Sequence, residues 1–260
     1  MTTEGLGLNR LKVDLNADFG EGYGVYTFGQ DDALLPYVTS VNIACGFHAG
    51  DPHTMKAAVD QSIAAGVAVG AHPGLPDRLG FGRRELAVSP QEVYDLVLYQ
   101  IGALRAFVNA AGGRLAHVKP HGALYHMAGK DRGIADAIAR AVTHIDSRLL
   151  LYGQSGSLLL ESGRAHGLAI VSEVFADRTY KPDGTLTPRS ERNALLTTDD
   201  EAIGQALSMV TRGKAATYDG GETEVIADTI CLHGDGPHAA QWARAIRTAL
   251  ERSGVQVQAP

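Results

Sequence analysis

Carboxylates, imidazoles and a lysine recur along this chain beside apolar runs of strand length. The first set is Asp14, Asn16 and Asp18, followed by Glu21. Later runs lead into Asn42 and His48, then His72, then His117, Lys119 and His121, then Glu173, Asp177 and Arg178, and finally His233 and Asp235. Two chemistries suit such a set. In one, Asp14 or Asp18 joins His48, His72 or His121 around a divalent metal with an open position for water, the foremost candidate ligands being Asp14, His48, His72 and His121. In the other, a carboxylate or histidine is general base on water without metal, and Lys119 or Arg178 stabilises an oxyanion. The plainest alternative is a polar interior consumed by its own hydrogen bonds. Lys119 closes an apolar strand before Pro120, so it needs an ionic partner, and Asp14 or Glu173 could supply one.

These residues need elements that bring them together. In 11–18, Leu11, Val13, Leu15 and Ala17 alternate with Lys12, Asp14, Asn16 and Asp18, the period of a strand. Strand-like runs follow at 38–45, 67–72, 114–119, 148–152, 168–175 and 229–233, with a weaker one at 255–257. Helical patterns separate them. Asp51-Pro52 reads as an N-cap with proline at the first helical position, and Ser89-Pro90-Gln91-Glu92 as a capping box. A short hairpin is expected within 215–227. Strands alternating with helices predict parallel βα units. Because polar residues follow nearly every strand, a single irregular (β/α) barrel over 1–260 fits better than a doubly wound open sheet, which would gather them at one switch point.

Composition narrows the class. The 260 residues are 45% hydrophobic and 20% charged with net charge −6, and without a basic run this argues against a nucleic-acid surface. Cys45 and Cys231 lie inside strand-like runs and read as buried free thiols. The sequence has no signal-peptide pattern and no membrane-length apolar run, so a cytoplasmic protein is expected. No Walker or dinucleotide glycine pattern is present. Two glycine-rich junctions suit anions, Gly153-Gln154-Ser155-Gly156-Ser157 and Gly234-Asp235-Gly236, and Asp235 could hold the Mg2+ of a phosphate. Arg78, Arg83, Arg84, Arg178 and Arg189 lie in long irregular segments and could clamp a substrate carboxylate.

Six motifs in order form a recognisable set. They are Asp14-Leu15-Asn16-Ala17-Asp18-Phe19-Gly20-Glu21, Asn42-Ile43-Ala44-Cys45-Gly46-Phe47-His48-Ala49-Gly50-Asp51, Gly70-Ala71-His72-Pro73, His117-Val118-Lys119-Pro120-His121-Gly122-Ala123-Leu124-Tyr125, Glu173-Val174-Phe175-Ala176-Asp177-Arg178 and Cys231-Leu232-His233-Gly234-Asp235. Together they resemble the LamB/YcsF family from about Lys12 to Gly254. The resemblance implies a seven-stranded irregular (β/α) barrel, similar to the polysaccharide-deacetylase barrels. It implies ATP-dependent opening of 5-oxoproline to L-glutamate, with Mg2+ accompanying the ATP, in a complex with two other subunits, B and C. One departure is His126, where the family carries Asn. On this reading Arg178 or Lys119 holds the substrate carboxylate or oxyanion, and Asp14, His72 or His121 activates water. The partners carry part or all of the ATP step. A metal hydrolase acting alone, such as a deacetylase, and a non-catalytic substrate-binding barrel are the alternatives.

Overall fold

The computed structural model describes residues 11–29, 31–188, 191–196, 198–232 and 239–260. In chain order the elements are β1 (Lys12–Phe19), α1 (Asp31–Leu34), β2 (Ser40–Ala44), α2 (Pro52–Ala64), β3 (Ala68–His72), α3 (Pro90–Ala110), β4 (Leu115–Val118), α4 (Gly122–Lys130), α5 (Arg132–Ile145), β5 (Leu150–Gln154), α6 (Leu158–Ala165), β6 (Ile170–Phe175), α7 (Asp199–Arg212), β7 (Lys214–Ala216), β8 (Glu222–Glu224), β9 (Thr229–Leu232), α8 (Ala239–Arg252) and β10 (Gln256–Val257).

Seven parallel strands close a barrel in the order β1-β2-β3-β4-β5-β6-β9, with β9 returning to β1. Closure is carried by Asn16↔Ser40 on one side of β1 and Asp14↔Thr229 on the other. Since β1 is bonded on both sides, the sheet is not the open alternative. The weak run near the end of the chain is not an eighth stave. It is β10, which pairs with Lys12 and Val13 at the start of β1, just before β9 takes over that edge at Asp14. The expected hairpin is β7 with β8, antiparallel from Lys214↔Glu224.

The alternation in β1 separates two buried faces. Val13, Leu15, Ala17 and Phe19 join the apolar layer between barrel and helices. Asp14 and Asn16 are equally buried, so the intervening face is the polar interior of the barrel. Helices begin where local chemistry predicts. The Asp51 carboxylate accepts from His53 N and Thr54 N ahead of α2, and Ser89 and Glu92 form the reciprocal box at α3. Helices α3 and α5 pack together over one flank, burying Val97, Ile101 and Leu104 with Ile134, Ile138 and Val142. Inside the barrel, Gly70 of β3 has no side chain because His117 of β4 occupies that space; a Cβ there would lie 2.0 Å from His117 Nε2.

Candidate active site

The polar interior is stacked in levels. Asp14 forms the lowest. Its carboxylate accepts from Thr39 Oγ1 at 2.5 Å, Thr229 Oγ1 at 2.6 Å, Ser40 Oγ at 2.7 Å and the Tyr152 hydroxyl at 3.1 Å. Burial raises the Asp14 pKa although all four hydroxyls oppose the shift. The Tyr152 ring stacks on His117, whose Nε2 donates to Asn42 Oδ1 at 2.8 Å. Burial, then the charges of Lys119 and His72, push His117 down to about 3, so it is a neutral structural imidazole.

Lys119 dominates the middle level. It leaves the end of β4 and reaches Glu173 Oε1 at 2.8 Å, Asp18 Oδ1 and Asn16 Oδ1 each at 3.1 Å, and Cys231 Sγ at 3.2 Å. Burial alone would lower its pKa; Asp18, Cys231 and Glu173 outweigh that and raise it well above the ordinary lysine value. Glu173 also accepts from Asn16 Nδ2 at 3.0 Å and from the Tyr125 hydroxyl at 2.6 Å. Asn42 Nδ2 donates to Asn16 Oδ1 and Asp18 Oδ1, which ties this level together.

The upper level sits beyond the strand ends and gathers Asp18, Glu21, His48, His72 and His121. One ligand atom from each of Glu21, His48, His72 and His121 lies within 4.8 Å of the others, and Asp18 Oδ2 lies 3.3 Å from His72 Nε2, so the ligands for a metal are to be sought among these five. Asp14 is two inward positions below Asp18 on β1 and is not part of it. Burial works against ionising Asp18, but His72, Lys119 and His121 hold its carboxyl well below the usual range. Burial and the charge of Asp18 raise Glu21 well above its ordinary value. Burial lowers His48 and takes His121 down to about 3, with neighbouring imidazoles adding to both. Gly82, at φ +62°, makes room for two of these rings: a Cβ there would lie 2.7 Å from His48 Cβ and 2.8 Å from His121 Cδ2.

The strands thus bring Asn16, Asp18, His48, His72, Lys119, His121 and Glu173 into the middle and upper levels. Asp177 and Arg178 lie past β6. The Arg178 guanidinium donates to the carbonyls of Thr187 and Ala194, and Asp177 O accepts from Leu196 N, so both organise the irregular segment that follows β6. Arg189, His233, Gly234, Asp235 and Gly236 lie outside the described residues. At the other glycine-rich junction, Gln154 Nε2 donates to Gly184 O and Ser155 Oγ accepts from Ile226 N.

Sequence reasoning placed Glu21 and Asn42 at strand ends but gave them no role, and it left Cys231 and Tyr125 out of the reacting set. Cys231 was findable, because it takes the inward position of its strand as Asn42 does, and the pairs Asp18↔Asn42 and Asn16↔Cys231 require this. Tyr125 gave no such signal, since its hydroxyl is turned inward from helix α4. Glu21 follows Gly20, whose φ of +65° turns the chain out of the strand period.

Residues 13–260 match the LamB/YcsF family. The chain is 56% identical over 248 residues to the A subunit of 5-oxoprolinase from Tolumonas auensis, covering 95% of this chain and 99% of that one. It is 56% identical to the protein of the same name from Geobacillus kaustophilus, covering 95% and 96%. The crystal structure of the lactam utilization protein from Thermus thermophilus superposes with a TM-score of 0.92 at 52% identity, covering 96% of this chain and all of that one. Motifs, barrel and near-full-length identity agree, and the chain belongs to the LamB/YcsF family.

Proposed function

We propose that this chain is the A subunit of a 5-oxoprolinase. In that role it opens 5-oxo-L-proline to L-glutamate at the expense of ATP, together with subunits B and C. The observation that carries the reading is the meeting of the buried Lys119, paired with Asp18, with the imidazoles of His48, His72 and His121, in a chain 56% identical to relatives of that name.

A five-membered lactam is an unactivated amide, and water attacks it slowly unless the carbonyl is made more electrophilic. Phosphorylation of the amide oxygen by ATP achieves this. One water then adds to the ring carbon, the C–N bond breaks, and the nitrogen takes a proton to become the amine of glutamate. The phosphoryl group leaves to water as phosphate. ATP with Mg2+ is held wholly or partly by the partner subunits. His121 and His72 are suited to activate the attacking water, and burial keeps His121 neutral at pH 7, with a lone pair to offer. Lys119 keeps its charge across the working pH range and is suited to offset negative charge developing on the carbonyl oxygen. Glu173, Asn16 and Tyr125 hold Lys119 and its neighbours in position. Asp14 supports the barrel from below.

The test is glutamate release from 5-oxoproline and Mg-ATP, by the chain alone and then with its two partner subunits. Release only with partners, lost in Asp18→Asn and His121→Ala, is expected. No release from three folded and associated chains overturns the reading. Undiminished release from both variants makes this a substrate-holding barrel instead. The imidazole cluster favours a second reading, a metal hydrolase acting alone, which requires turnover of an amide substrate without ATP.

A further inference from the structure

The hydrogen bonds outside the imidazole cluster decide where the protons are inside it. His72 Nδ1 lies 2.7 Å from the carbonyl oxygen of Lys119, and His121 Nε2 lies 2.7 Å from the carbonyl oxygen of Phe81. A carbonyl oxygen only accepts, so each of these nitrogens carries the ring proton. The remaining nitrogens, His72 Nε2 and His121 Nδ1, then present lone pairs, and they face each other at 3.0 Å. Two carboxylates close the same space. Asp18 Oδ2 is 3.3 Å from His72 Nε2, and Glu21 Oε1 is 3.5 Å from His121 Nδ1. Two imidazole lone pairs and two acidic side chains converge, and among the described residues no donor lies between the rings. Lys119 meets only the other oxygen of Asp18, so the facing lone pairs repel unless a metal cation or a shared proton sits among them. Imidazoles that donate one N–H to a carbonyl and turn the other nitrogen into a shared space are also oriented as metal ligands are.

We infer that His72 Nε2, His121 Nδ1, Glu21 and Asp18 form a binding site for one divalent cation of the zinc class. Two imidazoles with carboxylates suit Zn2+, Co2+ or Ni2+, whereas Mg2+ prefers oxygen ligands throughout. The site is therefore separate from the Mg2+ that accompanies ATP, and it stands independently of the 5-oxoprolinase reading. His48 has a different place. Its ring lies face to face on His121, with centroids 3.7 Å apart and planes 2° from parallel. A cation in the plane of the His121 ring is thus out of the plane of the His48 ring. His48 Nε2 instead lies 3.3 Å from Glu21 Oε1, so His48 orients that carboxylate. His48 is a positioning residue, and His72 and His121 are the nitrogen ligands.

Calorimetric titration of untagged, chelator-treated protein tests this, with Zn2+ and Mg2+ added separately and cobalt loading followed by visible absorption. The expected result is one Zn2+ per chain, bound tighter than about 1 μM, and a cobalt spectrum of low coordination number. Millimolar Mg2+ does not displace it. His72→Ala and His121→Ala each weaken binding by more than roughly 100-fold, and His48→Ala by roughly 10-fold. Glu21→Gln and Asp18→Asn, which keep the side-chain shape, also weaken binding and cover the case in which a histidine variant does not fold. Absence of zinc uptake by folded protein overturns the inference, and a shared proton then occupies the cluster. Uptake unchanged in folded His72→Ala and His121→Ala overturns it as well. A chain that binds zinc while its complex fails to open 5-oxoproline keeps this site and loses the functional reading. An active complex whose barrel takes up no zinc has the opposite consequence.

Discussion

Lys119 is a buried cation held by two carboxylates, an amide oxygen and a thiol. Removing one partner of a buried ion pair strands the other, at about 3–5 kcal/mol. Lys119→Met leaves Glu173 fully buried without its cation, so a loss of that size is expected in urea unfolding; a variant as stable as the parent would contradict the pairing. Asp14 is the opposite case, a buried carboxylate satisfied by hydroxyls. Asp14→Ala deprives the Thr39, Ser40, Tyr152 and Thr229 hydroxyls of their acceptor and leaves a small void, and about 2–4 kcal/mol of destabilisation is expected. Because Asp14 is below Lys119, turnover per folded molecule should fall far less in Asp14→Ala than in His121→Ala. Equal losses would move Asp14 back among the reacting groups.

At the scale of elements, the barrel interior depends on small residues opposite large ones. Gly70→Ala drives a methyl into the His117 ring, and overpacking of this kind costs about 1–3 kcal/mol. Adding His117→Ala to the same chain should recover part of that loss; if the double variant is less stable than the sum of the singles, the contact is not the cause. Helix α1 is tied to the end of β1 through Asp31, whose Oδ2 accepts from Gly20 N at 2.8 Å. Burial, against that bond, raises Asp31 to about 6. The folded state therefore binds a proton more tightly than the unfolded state. Its contribution to stability is fully present below the ordinary aspartate pKa and is lost as pH rises towards 6. Asp31→Asn keeps the acceptor and removes this loss. It should stabilise the protein by about 1 kcal/mol at pH 7, after allowance for partial exposure, and by nothing near pH 3.5. Thermal melts of both proteins across that range would expose a wrong sign.

At the scale of the molecule, closure rests on the β1–β9 seam, and β10 covers only the start of β1. Ending the chain after Ser253 removes the bonds from Gln256 N to Leu11 O and from Gln258 N to Val13 O, and exposes the site of buried Val255. Two backbone bonds and one buried valine amount to about 3–4 kcal/mol. The melting temperature should drop by about 6–16 °C with a cooperative transition retained. Loss of folding altogether would mean that β10 is a stave and not a cover. Among the described residues no helix is long and apolar enough to cross a membrane.

Local patterns in the chain were enough for the strands, the helix starts at Asp51 and Ser89, and the expectation of a polar barrel interior, because each depends on neighbours within a few residues. They also identified Lys119 as needing a carboxylate partner and named Glu173 as one candidate. Depth along the barrel was not legible. Asp14 and Asp18 look alike in the alternation of β1, yet one faces hydroxyls and the other faces imidazoles, since the neighbours come from strands over 20 residues away. His117 and His121 have the spacing of a ligand pair on a helix. Here the first points inward from β4 to Asn42, and the second follows Pro120 out of the strand to meet His72. Residue types and order determined which side chains are available. Strand register and the turns after each strand decided which of them meet, because distance in space, not in sequence, sets every pairing in the site.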